Sequence, residues 1–312
     1  VALGQLCINT GATLELLFLV GVILNKAILE VAGLLAEKGF SITVIPPDSR
    51  GMVDPDLIRD AITDKTILIS VMFANNEIGT IQDVSTIGSI AREHGVFFHT
   101  DAAQAVGHIP VDVESMNIDL MSFTAHKLCG PKGIGALYVR RKRPRVRPAA
   151  VIHGGGHERG IRSGTLNVPG IVGFAKAMEI AHSEMKDENA RLGKWTNFML
   201  ANFMDNLTGV QRNGHSNNRL LHNLNVYIPG IESKSMLMEL SNQVAFSSGS
   251  ACTSAKIEPS HVIESLGLGE DRAHCSLRFG LGRFNTFNEV KRVSGLVVET
   301  SRRLKETYTK IT

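Results

Sequence analysis

A lysine directly follows an apolar segment in the sequence SFTAHKLCGPKG, residues 122–133. Lys127 stands where a predicted strand ends, beside hydroxyl and imidazole side chains and just before a glycine-rich turn. An amine in that position can form a Schiff base with an aldehyde cofactor, while neighbouring hydroxyl and backbone N–H groups hold a phosphate. The His-Lys pair alone is weak evidence, because a surface lysine after a strand is the commoner occurrence.

Polar side chains also follow two other apolar segments. Asp101 ends one of them, with Gln104 three residues later, and Asn76 follows the other. A carboxylate at Asp101 can pair with a pyridinium nitrogen and keep it protonated, although an N-cap aspartate for the next helix is an equal alternative. Alone, Asn76 is typical of a turn. Three polar strand ends that meet at one edge of a sheet nevertheless favour a ligand site.

Cys252 lies in a segment of small and polar residues, AFSSGSACTSAK. Such a segment has little capacity for packing, so the composition predicts a mobile loop. A cysteine in an exposed loop can act as a thiolate nucleophile. The alternative is an ordinary buried cysteine, which the surrounding Ser, Gly and Thr residues disfavour.

Strand-like and helix-like segments alternate from about residue 27 to residue 185. This alternation predicts an α/β fold with a mostly parallel sheet sandwiched by helices, in which ligands bind beyond the carboxyl ends of the strands. A long helical pattern over about residues 169–207 then leads into a smaller α+β region. We therefore predict a large cofactor-binding domain over residues 1–185 and a smaller domain over residues 186–312 that carries Cys252.

Composition restricts the possible partners of this 312-residue chain. The net charge is only +3, from 33 basic and 30 acidic residues, so we expect neither a nucleic acid nor a membrane as partner. The longest apolar run, Leu16–Leu24, is shorter than the roughly 20 residues that span a bilayer. The four cysteines are widely spaced and form no CxxC pair, which favours free thiols in a reducing compartment over a zinc site.

Several long motifs together resemble cysteine desulfurases of the NifS/IscS type. These are pyridoxal-phosphate enzymes of the aminotransferase class V family, with fold type I. The similar segments cover most of the chain from about Lys26 onward and are NNEIG, HTDAAQAVG, DLMSFTAHKLCGPKGIGALYVRR, GGGHERGIRSGT, SSGSACTSA and AHCSLRFGLGRF.

The resemblance implies a role for each candidate residue. Lys127 holds the cofactor as a Schiff base, Asp101 pairs with the ring nitrogen, and Thr165 reaches the phosphate of the partner subunit. The full set assigned to pyridoxal 5′-phosphate is Ala12, Thr13, Asn76, Asp101, Gln104, Thr124, His126, Lys127 and Thr165. The residues assigned to catalysis are Lys127, His126 and Cys252, and those assigned to the substrate carboxylate are Asn76 and Arg278.

The resemblance also implies substrate and partners. L-cysteine is converted to L-alanine, and Cys252 carries the sulfur as a persulfide to an iron–sulfur scaffold or another acceptor protein. A homodimer is implied, with no resident metal, although Cys252 can contact a transferred iron–sulfur cluster. The compartment expected is the cytoplasm, with the mitochondrial matrix as the alternative.

Two departures from the family keep other functions open. The family's histidine that stacks on the cofactor ring aligns with Asn25, and we expect the chain to be truncated at its amino terminus relative to the family. These features favour a non-catalytic relative or fragment. A sister enzyme, such as a selenocysteine lyase or an aminotransferase, is a further alternative. Cys252 disfavours an aminotransferase, which needs no cysteine there.

Overall fold

The computed structural model describes residues 17–21, 26–247 and 260–311, which form two compact units. The first unit contains the described residues up to Pro46, together with Val53–Ala74 and Gln82–Met185. The second contains Pro47–Met52, Asn75–Ile81 and the described residues from Lys186 onward. A compact unit is not by itself a domain that folds alone, so the predicted domains 1–185 and 186–312 remain predictions.

Among the described residues, the first unit contains a six-stranded sheet. Its strands are β1 (Leu17–Gly21), β2 (Ser41–Ile45), β3 (Thr66–Met72), β4 (Phe97–Asp101), β5 (Leu120–Thr124) and β6 (Gly135–Val139). Their order across the sheet is β2-β1-β3-β4-β5-β6. All neighbours are parallel except β6, which runs antiparallel to β5. The predicted α/β fold with a mostly parallel sheet is confirmed.

Helices flank this sheet, and their ends follow the capping residues of the sequence. They are α1 (Lys26–Glu37), α2 (Pro55–Ala61), α3 (Val84–Glu93) and the first part of α4 (Val168–Asn206). At the start of α2, the Asp54 side chain accepts a hydrogen bond from the Asp56 N–H at 2.9 Å, and Pro55 occupies the first helical position. Helices α1 and α2 pack against β2, and α3 packs against β4.

The middle of this sheet is buried on both faces. Leu68, Ile69 and Phe98 are fully buried, as expected for parallel strands covered on both sides. His99 is also buried, with its two ring nitrogens 2.8 Å from the Ser70 Oγ and 3.2 Å from the Ser122 Oγ. The two hydroxyl groups give each nitrogen of a neutral imidazole a hydrogen-bond partner. Burial lowers the pKa of His99 to about 4.

The second unit combines a small antiparallel sheet with helices. Its antiparallel strands are β7 (Gln211–Arg212), β8 (Asn223–Tyr227) and β9 (Ser276–Gly280), in the order β7-β8-β9. Its helices include α5 (Ser233–Leu240), α6 (His261–Ser265), α7 (Glu270–His274) and α8 (Phe287–Ile311). The core contains Phe203, Val226, Ile228, Leu277 and Val297. Within the described ranges, no helix is long and apolar enough to cross a membrane.

Burial of His99 predicts acid sensitivity. Below pH 6.5 the unfolded chain gains a proton on this ring, whereas the folded chain gains it only near pH 4, so the free energy of unfolding falls as the pH falls through that interval. The His99→Asn variant removes the titrating group. Its free energy of unfolding, measured by urea titration between pH 4.5 and 6, should fall less steeply than that of the parent, by up to about 1.4 kcal/mol per pH unit.

His182→Asn is the matched control, because His182 is exposed on α4. We expect this control to reproduce the slope of the parent protein. Equal slopes for the parent and His99→Asn would contradict the assignment of a buried neutral histidine.

Candidate functional site

Lys127 lies in a short 3₁₀ turn, Ala125–Leu128, directly after β5. The apolar ends of this turn, Ala125 and Leu128, are buried, whereas His126 and Lys127 are exposed. The Ala125 N–H donates to the Ile134 carbonyl at 3.1 Å, which ties the turn to the following segment. The sequence therefore anchors the turn by its apolar residues and presents the amine and the imidazole to solvent.

Two glycines allow the chain to pack closely around this turn. A Cβ at Gly130 would lie 2.9 Å from the Ala125 carbonyl oxygen. Gly107 has a φ of +80°, and a Cβ there would lie 2.4 Å from the Leu128 Cδ2. The glycines in this region thus hold the lysine turn in place by permitting close contacts.

Asp101 ends β4 and is buried beside the lysine turn. Strands β4 and β5 are parallel and in register, with Asp101 opposite Ser122, so both strands end at the same edge of the sheet. Burial raises the pKa of Asp101, while the Ala103 N–H, 3.0 Å from Oδ1, and the positive charge of Lys127 partly oppose that shift. No described residue donates a hydrogen bond to Oδ2. A buried carboxylate with a free oxygen fits the protonated ring nitrogen of pyridoxal 5′-phosphate.

The other first-unit candidates have polar groups available for a cofactor. The Thr124 hydroxyl lies 2.9 Å from the His126 Nδ1 and donates to the Ile134 carbonyl at 3.2 Å. Desolvation and the charges of Lys127 and Lys132 lower the pKa of His126, so its imidazole is neutral near pH 7. Gln104 is half-buried in the turn after β4, and Thr165 is exposed in the segment before α4.

The second unit positions Asn76 in a tight turn, NNEIG. The Asn75 Oδ1 accepts hydrogen bonds from the N–H groups of Glu77, at 2.8 Å, and Ile78, at 2.9 Å. Gly79 has a φ of +77°, which favours glycine at that position. Asn75 is buried, so its side chain replaces backbone partners that the turn would otherwise lack.

Arg278 and Asn76 are in contact within the second unit. The Arg278 Nη1 donates to the Asn76 carbonyl at 3.1 Å. The Asn223 side chain donates to the same carbonyl at 3.3 Å, and the Asn225 side chain donates to the neighbouring Glu77 carbonyl at 3.0 Å. We call Asn76 and Arg278, which are predicted to bind the substrate carboxylate, the clamp. Asn223 and Asn225 were not predicted from the sequence, although two amides that alternate along an apolar strand, NLN, are an unusual pattern.

Three predicted site residues, Ala12, Thr13 and Cys252, lie outside the described residues. Two other cysteines can be placed. Cys129 is exposed and directly follows the lysine turn, whereas Cys275 is buried immediately before β9. Burial raises the pKa of Cys275 to about 12, which makes it a poor thiolate near neutral pH.

Comparison with known proteins identifies the family. Residues 18–293 match aminotransferase class-V. The cysteine desulfurase IscS of Rickettsia africae is 48% identical over 282 residues, which are 90% of this chain and 68% of that protein. The chain belongs to the cysteine desulfurases of this family. The IscS of Plasmodium falciparum is 47% identical over 281 residues, but the match covers only 51% of its length. A solved NifS-like protein superposes with a TM-score of 0.87 at 33% identity, covering 96% of this chain and 78% of that chain.

Family membership confirms two predictions about this cysteine desulfurase homologue. The resemblance to the NifS/IscS type is confirmed, and the cofactor of the family is pyridoxal 5′-phosphate. The roles of individual residues toward that cofactor remain predictions. Lys127 and Asp101 have the exposure, burial and charge that those roles require.

The raised pKa of Asp101 predicts opposite effects of one substitution on stability and on cofactor binding. As the pH rises above 3.8, the unfolded chain loses this proton before the folded chain does, so Asp101 destabilises the cofactor-free protein near neutral pH. Asp101→Asn should therefore raise the free energy of unfolding of the cofactor-free protein, and more at pH 7 than at pH 4.5. The same variant should bind pyridoxal 5′-phosphate roughly tenfold or more weakly, because a charge-assisted contact is lost.

Asp112→Asn provides the control for the stability measurement. Asp112 is exposed, and the Glu114 N–H lowers its pKa, so its titration falls below this pH range. Its effect on unfolding should not change between pH 4.5 and 7. If Asp101→Asn behaved in the same way, the buried-carboxylate interpretation would be wrong.

Proposed function

We propose that this chain removes sulfur from L-cysteine to give L-alanine and a persulfide on Cys252, which supplies iron–sulfur cluster assembly. The observation that carries the proposal is the placement of Asp101 and Lys127 at the ends of two adjacent parallel strands, close enough for the lysine charge to act on the carboxyl group. Bound pyridoxal 5′-phosphate would act as an electron sink that weakens bonds at the substrate's α- and β-carbons.

The residues of the first unit would bind the cofactor and move protons. The Lys127 amine would tether the cofactor aldehyde and exchange a proton with the substrate's α-carbon. The Asp101 carboxylate would hold a proton on the ring nitrogen. Thr124 and the neutral His126 offer a hydroxyl and an imidazole nitrogen to the phosphate or to a transferred proton, and Gln104 would contact the ring hydroxyl.

Arg278 would hold the substrate carboxylate together with Asn76. Only Nη1 of the guanidinium has an acceptor among the described residues, so the remaining N–H groups are available for a bidentate contact. The backbone of Arg278 is itself held by Ser247, whose N–H and carbonyl lie 3.1 and 2.7 Å from their partners. The clamp arginine is thus positioned from both its side chain and its main chain.

Described residues on both sides of the segment that contains Cys252 are bonded to the groups around Asn76 and Arg278. Ser247 is bonded to the backbone of Arg278, and the Ser260 hydroxyl donates to the buried Glu77 carboxylate, next to Asn76. Cys252 follows Ser247 by five residues in the sequence. Its thiolate would attack the substrate sulfur: the S–S bond forms as the Cβ–S bond breaks, and a proton added to Cβ completes alanine.

A homodimer is part of the proposal. Apolar side chains at the start of α4 and just before it are exposed: Leu166 by 40%, Val168 by 57%, Ile171 by 39% and Val172 by 64%. Such a cluster is typical of a protein–protein interface. Thr165 directly precedes it, as expected if this residue reaches the phosphate of the partner subunit.

The sulfur acceptor of this proposal is an iron–sulfur scaffold or another acceptor protein. We place the reaction in the cytoplasm, with the mitochondrial matrix as the alternative, because a cysteine that must act as a free thiol stays reduced in such compartments.

Cys252→Ser should separate cofactor binding from sulfur transfer. A serine hydroxyl is a far weaker nucleophile than a thiolate at neutral pH, so the variant should retain the visible absorbance of the bound cofactor and release no sulfide from cysteine. In the parent protein, mass spectrometry should find a labile sulfur on Cys252. Cys129→Ser is the matched control and should keep parental activity. A parent protein that binds cofactor without sulfide release would instead support the non-catalytic alternative raised by Asn25.

Val172→Asp should disrupt the dimer, because it places a charge in the exposed apolar cluster. Light scattering should give twice the 33.8 kDa chain mass for the parent and one chain mass for the variant, which should also bind cofactor more weakly. Met238→Asp, at a residue 71% exposed on α5, is the control and should remain dimeric. A parent that is monomeric with bound cofactor would refute the composite site.

A further inference from the structure

The second unit contains a polar cavity of about 280 Å³ that the proposed reaction does not use. It lies where β7, the chain after it and α4 meet. Its lining residues include Thr196, Asn197, Arg212, Ser216, Asn217 and Arg219. The polar side chains that line this cavity all carry hydrogen-bond donors, and none of the lining residues is acidic.

Arg219 contributes a buried cation to this cavity. Its side chain is only 7% exposed, and its guanidinium donates to three backbone carbonyls, those of Asn213, His215 and Asn223, at 2.9–3.3 Å. Carbonyl groups satisfy the N–H donors but do not neutralise the charge. Burial and, to a smaller extent, the nearby charge of Arg212 lower the pKa of Arg219 to about 10.

Arg212 adds a second cation to the same cavity. Its Nη2 donates to the Ser216 carbonyl at 3.1 Å, and no described residue accepts from its other N–H groups. Neither arginine forms an ion pair with a described carboxylate, whereas other described arginines do, such as Arg50 with Asp48 and Arg140 with Glu114. A purely structural role, in which its guanidinium connects three backbone carbonyls, would account for Arg219. It does not account for a second, half-buried arginine that faces the same cavity with one bond.

We propose that the cavity at Arg212 and Arg219 binds a small tetrahedral oxyanion of the phosphate type. Two planar guanidinium groups present several N–H donors to one volume, which suits the oxygens of a dianion better than those of a monovalent halide. The uncommitted side chains of Asn197, Asn217 and Ser216 would complete the oxygen contacts. The volume admits an inorganic ion with a few waters, or the phosphate group of a small monoester.

The test is a titration of the cofactor-loaded protein with inorganic phosphate, followed by calorimetry and thermal unfolding, against sodium chloride at equal ionic strength. Loading with cofactor prevents phosphate from binding where the cofactor phosphate would lie. We expect saturable binding of phosphate and a rise in the unfolding temperature that chloride does not produce. Arg212→Gln should weaken this binding by roughly tenfold or more, and Arg212→Lys by less, because the charge is retained.

Arg292→Gln is the matched control, since it removes one exposed arginine of α8 from the same unit and should leave phosphate affinity unchanged. The unfolding temperature of each variant in chloride verifies its fold, and phosphoserine in a parallel titration distinguishes a monoester from the free ion. Binding of phosphate more tightly than phosphoserine supports the site, and so does the reverse order. Equal phosphate affinity of the parent and Arg212→Gln, or no preference for phosphate over chloride, would overturn it.

Discussion

The parallel pairing of β4 with β5 is the constraint on which the first-unit site depends. It brings a carboxylate and a lysine, 26 residues apart in the sequence, to one edge of the sheet. A shift of one residue in that register would turn Asp101 to the opposite face of the sheet. The same pairing buries Asp101, and its burial raises the pKa of the carboxyl group. A cationic ligand at this edge of the sheet would therefore stabilise the Asp101 carboxylate, whose negative charge the fold alone compensates poorly.

In the second unit, the corresponding constraint is the network of hydrogen bonds around the NNEIG turn. Backbone hydrogen bonds close the NNEIG turn, from the Asn75 N–H to the Thr80 carbonyl and from the Gly79 N–H to the Asn75 carbonyl. Side-chain amides bond its remaining groups: Asn75 from within the turn, and Asn223 and Asn225 from β8. Buried amides are costly unless they are bonded, and a network in which they are bonded favours one geometry over others. The clamp thus acquires its geometry from residues that touch neither the substrate nor the cofactor in the proposed mechanism.

The sequence predicted the local features of the fold well, because they depend on near neighbours. Asp54 and Pro55 mark the start of α2, and the polar residues Asp101 and Thr124 do lie at strand ends. Strand β1 was not predicted, since its apolar run shows no alternation, yet it lies between β2 and β3. The membership of residues 75–81 in the second unit could not be predicted from the sequence, because it depends on contacts with residues more than 100 positions away. Residues 47–52 join the same unit, where the Thr80 hydroxyl donates to the Arg50 carbonyl at 2.8 Å.

Arg219 connects the cavity that it lines to the clamp through a continuous series of hydrogen bonds. Its Nη2 donates to the Asn223 carbonyl at 2.9 Å, and the Asn223 side chain and the Arg278 guanidinium both donate to the Asn76 carbonyl. An anion beside Arg219 would neutralise a buried cation whose carbonyl partners satisfy its N–H groups without balancing its charge. The cavity and the clamp share Asn223, so whatever orders the loop around Arg219 also limits the freedom of Asn76. The polar interior of the second unit therefore forms one network, in which the buried Arg219 and the proposed substrate-binding residue Asn76 are both bonded to Asn223.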